Sequence, residues 1–117
     1  MTNSYSQEFK RASIGLLLTI IQNVNPKNSN KYYKFLQKEL HIDSDEFEEI
    51  LELQEFTQSH NIVVEDEIDT VRKELEYKRH QIMKFLMMLN RCIIIDGCNV
   101  KNYQEFEKVR DSFLAKL

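Results

Sequence analysis

Residues 82–95 read IMKFLMMLNRCIII. The stretch holds no glycine or proline, and its apolar residues fall on nearly every side of a 3.6-residue helix. A helix that is apolar all round is buried on several sides, so this segment is expected to form the middle of a helical domain. From upstream into this stretch, Ile68, Val71, Leu75, Ile82, Phe85, Leu89 and Cys92 recur in alternating three- and four-residue steps, with Lys78 interrupting them. The periodicity predicts one long helix over 66–95. Fewer than four clean heptads favour a bundle over a coiled coil.

Nearer the start of the chain, Phe9, Ser13, Leu16, Leu17, Ile20, Ile21 and Val24 mark a first helix over 4–24. It stops at Asn25-Pro26, because proline disfavours helix at the preceding residue. A polar loop, 27–30, leads to a second helix over 31–40, with Tyr32, Tyr33, Leu36 and Leu40 on its apolar face; Asn28 and Ser29 are candidate caps. Asp43 stands three residues before Glu46, the capping-box spacing, and Ser44 is the alternative cap. A third helix then runs over 45–56, burying Phe47, Ile50 and Leu51. Residues 57–66 break the pattern, with 61–64 readable as an extended piece or a packed loop. Asp96-Gly97 closes the long helix. A last helix begins at Asn102, with Glu105 again at capping-box spacing and Phe106, Val109, Phe113 and Leu117 as its stripe.

The expectation is an all-α, compact bundle of about five helices forming a single domain over 1–117. Two glycines and one proline in 117 residues are too few for strands joined by tight turns. A formal charge of −3 argues against a nucleic-acid binder, which needs clustered Lys and Arg. The basic groups over 27–38 and 72–79 are interleaved with acids or asparagines and read as solvated faces. Cys92, next to an isoleucine run, suits a reducing compartment rather than a disulfide framework. Residues 1–5 show no secretory leader, and no apolar run is long and clean enough to span a bilayer. The cytoplasm is the expected location.

The two ends of the chain are alike. LLLTII (16–21) precedes a polar turn and KYYKFL (31–36); LMML (86–89) and III (93–95) precede a polar turn and YQEFEKV (103–109). Two helical-hairpin repeats account for this, and so does the general likeness of amphipathic helices. The elements Ile95-Asp96-Gly97, Val100 and Glu105, together with the stretch 36–50, resemble the tellurite-resistance TerB-like helical domain over about 14–114. The first half departs from that family, with Asn23-Val24-Asn25-Pro26 in place of an Asp-Gly turn. The second turn is longer than the family's usual one by about two residues. The resemblance implies an all-helical stress-response module linked to membrane-associated assemblies and to divalent metal, with Asp96 and Glu105 as the acidic positions.

Four residues around the second turn, Asp96, Asn99, Asn102 and Glu105, therefore form a candidate divalent-cation site of oxygen ligands; a helix stop followed by a helix cap is the plainer account. His41, Asp43 and Asp45, with Glu48 and Glu49, group a histidine with carboxylates, but acids at a helix start need no metal. Cys92, Cys98 and His80 lack zinc spacing, and no histidine is placed to activate a thiol. Tyr32 and Tyr33, beside Lys31 and Lys34, have the composition of a base-stacking pair or of a core edge. Met83, Met87 and Met88 are candidates for a partner-binding groove, with core filling as the alternative. No phosphate-cradling glycine loop, Ser-His-Asp pattern or zinc quartet is present. The reading is a non-enzymatic protein-interaction or scaffolding module whose partner is another protein or a second copy. Dimerisation would cover the surplus apolar faces of the long helix. The alternative is a TerB-like metal-binding domain.

Overall fold

The computed structural model describes residues 5–21, 29–58, 64–95 and 99–115. In them the chain forms six helices: α1 (Gln7–Ile20), α2 (Ser29–Leu40), α3 (Ser44–Gln58), α4 (Val64–Glu74), α5 (Arg79–Ile93) and α6 (Val100–Ala115). The all-helical expectation holds, with one helix more than anticipated. The Asn25-Pro26 stop, the Asp96-Gly97 stop, residues 61–63, Val24, Cys98 and Leu117 lie outside the described residues.

Helix α1 starts where Ser6 caps it. The Ser6 hydroxyl accepts from the Phe9 amide at 3.1 Å and donates to Glu74 Oε1 at 2.7 Å, tying the cap to α4. Phe9, Ala12, Ile14, Leu16, Leu17 and Ile20 are all buried, so α1 is covered on several sides. Its main neighbour is α4, followed by α6 and α3, while α5 packs on α6 and α2. The centre of the fold is thus α1, not the segment 82–95. An aromatic chain, Tyr5–Phe9–Phe85–Phe113, joins α1, α5 and α6 with ring centroids 4.6, 5.6 and 5.8 Å apart, within the range of favourable ring pairing. Pairing of α5 with α6, but of α1 chiefly with α4, does not display two like hairpins.

The long helix expected over 66–95 is broken at 75–78. At 1.5 Å per residue it would be about 45 Å long, more than the molecule's longest extent of 36 Å. The chain turns instead on two left-handed residues, Glu76 (φ 56°) and Tyr77 (φ 58°). The Tyr77 amide donates to the Arg72 carbonyl at 2.9 Å and the Glu76 amide to the Lys73 carbonyl at 3.0 Å. These are the paired bonds of a Schellman helix end, made here without glycine. His41 (φ 55°) ends α2 in the same way, with the Ile42 amide on the Gln37 carbonyl at 2.9 Å. Two boundaries also move outward: α3 continues to Gln58, and α4 starts at Val64.

Candidate functional site

At the turn before α6, the helix begins at Val100, two residues before Asn102. Asn99 is the cap, its Oδ1 accepting from the Asn102 amide at 3.1 Å, and the Tyr103 amide bonds the Asn99 carbonyl at 3.0 Å. Asn102 is then an internal helix residue, fully buried, with neither side-chain polar atom partnered. Glu105, read as the reciprocal half of a capping box, takes Lys108 at 3.2 Å instead. Asp96 lies outside the described residues. Of the three cation-site positions that are described, Asn99 Oδ1 and Glu105 Oε1 each have a partner in α6, while Asn102 Oδ1 has none.

The start of α3 is capped as its sequence anticipates. Asp43 Oδ1 accepts from the Glu46 amide at 2.8 Å. The Glu46 carboxylate does not reach back to close the box. It takes Lys10 Nζ at 3.0 and 3.1 Å and Gln7 Nε2 at 2.6 Å, clamping α3 to α1. His41 and Asp45 are exposed. Among the described residues no three or more His, Cys, Asp or Glu gather as metal ligands would.

Cys92 is buried, and its Sγ lies 3.4 Å from the Tyr32 carbonyl. Burial, with Glu39 nearby, pushes its thiol up to about 12, so it is not a thiolate nucleophile at neutral pH. Tyr32 is buried in the core, and Tyr33 packs on Phe47 at 5.2 Å. Neither ring is a free stacking platform.

The methionines divide. Met88 is core, 7 % exposed, while Met83 and Met87 are 39 % and 56 % exposed. Ile94, just past the end of α5, is 46 % exposed. Met83, Met87 and Ile94 stand at four- and seven-residue steps and share one solvent-facing stripe. His80, Lys84 and Arg91 repeat those steps three positions earlier, as a second, parallel row. From Arg79 to Ile93 the helix contains no acid. Arg91 answers Glu39 on α2 at 3.2 Å; Arg79 and Lys84 take no acid among the described residues. Lys78 caps α5 without a side-chain hydrogen bond, and Lys78 and Arg79 crowd the end of the helix dipole that disfavours cations. Beside the cationic row is a cavity of about 290 Å³, with Phe9, Leu40, Phe85 and Met88 among its walls and Lys84, Arg91 and Glu39 among its polar residues.

One site escaped the sequence reading. Glu67 on α4 is 8 % exposed, its Oε2 has no partner, and its carboxyl lies against Gly15 of α1. A Cβ on Gly15 would stand 2.6 Å from Glu67 Cδ, so only glycine leaves room for the carboxyl in this seam. Burial, aided by neighbouring Asp66, pushes the Glu67 carboxyl up to about 7. In sequence it sits inside the acidic run VEDEID (64–69), which reads as a solvated helix start.

Comparison with protein-family models, curated proteins and solved structures gives no match.

Proposed function

We propose that this chain is a non-enzymatic protein-interaction module of the cytoplasm whose binding surface is the outer face of α5. The observation that carries the reading is the exposure of Met83, Met87 and Ile94 in one row. Methionine stripes adapt to varied apolar partners because the side chain is unbranched and polarizable. A helix laid along such a stripe is a recurrent recognition mode. Among the described residues no helix is long and apolar enough to cross a membrane, so the stripe is not explained by a span.

The test is affinity capture from native lysate with the wild-type chain, Met87→Glu and Leu53→Glu. Leu53 is an exposed leucine on α3 and serves as the control. A discrete partner lost with Met87→Glu and kept with Leu53→Glu is the expected result. Equal recovery by all three chains removes α5 as the surface.

The TerB-like metal reading has one supporting observation, the buried and unpartnered amide of Asn102. Its check is thermal unfolding of chelator-treated protein with calcium, magnesium, manganese or zinc. A ligand of the folded state raises the melting temperature by mass action, and a rise abolished by Asn102→Ala would favour this reading.

A further inference from the structure

We infer that the occupant of the α5 face is an acidic amphipathic helix of another protein; this rests on the interaction-module reading above and specifies its partner. The apolar row Met83, Met87, Ile94 and the basic row His80, Lys84, Arg91 each extend eleven residues, about 16 Å along the helix. A partner helix of three to four turns covers both. Its apolar residues meet the methionines, and acids on one flank meet Lys84 and Arg91.

Charge selects the occupant. With no acid on α5, pairing α5 with α5 of a second copy sets cations opposite cations or neutral groups, which costs rather than stabilises. The acidic helix α3 of a second copy has the right sign, with Asp45, Glu48, Glu49 and Glu52 exposed. Its solvent face, however, offers only Leu53 as a large exposed apolar residue among those described, against three in the stripe. The cations of Lys78 and Arg79 at the dipole-disfavoured end of α5 supply a second reason. An acid of the partner placed there relieves a local repulsion that the chain itself leaves standing, Glu76 reaching Lys78 only at 3.7 Å on the surface.

The experiment is fluorescence anisotropy of a dye-labelled synthetic helix of about fourteen residues, with leucines at four- and seven-residue steps flanked by glutamates. A second peptide carries lysine at every glutamate. Vesicles containing phosphatidylserine are a third probe. The expected result is saturable binding of the acidic peptide alone. That binding weakens at least tenfold on Lys84→Glu with Arg91→Glu, is lost on Met87→Glu, and falls as salt rises from about 0.1 to 1 M, where the Debye length shrinks from about 10 to 3 Å. Circular dichroism checks that the variants fold, and Lys84→Gln replaces the charge reversal if it does not. Equal binding of both peptides, perturbed by Met87→Glu, overturns the acidic partner and leaves the interaction module standing. Binding indifferent to every α5 substitution, vesicle binding without peptide binding, self-association that excludes the peptide, or no saturable binding of the acidic peptide each overturns the assignment.

Discussion

Glu67 and Gly15 show what a single pair does to the central seam. Glycine inside a helix costs roughly 0.5–1 kcal/mol relative to alanine, yet Gly15 sits in the middle of buried α1. The contact with Glu67 accounts for it. In the wild type, Gly15→Ala must drive the Glu67 carboxyl out of the seam. In a Glu67→Ala background the same change is expected to stabilise by about 1 kcal/mol, the ordinary helix preference. A double-mutant cycle by chemical denaturation reads the coupling; additive effects would show that the two residues do not touch. Neither residue was legible in the sequence, because an acid within VEDEID (64–69) carries no sign of its burial until α4 is set against α1.

The same carboxyl makes stability depend on pH. Its folded value of about 7 lies above the ordinary 4.5, so between these pH values the folded chain holds a proton that the unfolded chain has lost. The stability this adds is full below about 4.5 and is lost as pH rises through about 7. Its size is on the order of 2–3 kcal/mol. Glu67→Gln is expected to flatten the fall between pH 5 and 8, measured as the urea midpoint across that range. An unchanged slope would place the titration elsewhere.

At the scale of elements, helix periodicity was well displayed in the sequence and helix ends were not. Asp43 announced α3, and the apolar rows of α2, α3 and α6 stand where their spacing put them. The break between α4 and α5 was hidden because Glu76 and Tyr77 take the left-handed conformation without glycine or proline to signal it. A non-glycine residue there is strained by roughly 1–2 kcal/mol. Glu76→Gly is therefore expected to raise the melting temperature, and continuation of α4 through this point would make the same substitution destabilising. At the other side of the break, Lys78→Ser gives α5 the side-chain cap it lacks, a gain of about 1 kcal/mol. On α1, losing one partner of the Lys10–Glu46 clamp should cost more than a surface pair, since the two side chains are only 10 % and 22 % exposed. Glu46→Ala is expected to destabilise by roughly 2–3 kcal/mol, and a loss within about 0.5 kcal/mol would class the pair with exposed ones.

For the whole molecule, the apolar content of 82–95 reads in sequence as burial, and for four of its eleven apolar residues that inference fails. Ile82, Phe85, Leu86, Met88, Leu89, Cys92 and Ile93 are core; Met83, Met87, Ile94 and Ile95 are not. Periodicity ranks residues by hydrophobicity, and it cannot tell a helix enclosed by its own chain from one that reserves a face. α1 takes the enclosed position because α3, α4 and α6 all pack on it, which leaves α5 at the periphery. Of the three methionines singled out in sequence, Met83 and Met87 are exposed and Met88 is core, and the alignment of Ile94 with them emerges only from the fold.

On the reading proposed above, α5 meets a partner through this row. The direct measurement is site-specific photocrosslinking in living cells, with benzoylphenylalanine placed at Met87 and, separately, at Glu49 on the exposed face of α3. A discrete adduct to another protein from position 87, absent from position 49, is the predicted result. No adduct from position 87, or the same adducts from both positions, would exclude α5 as the binding face.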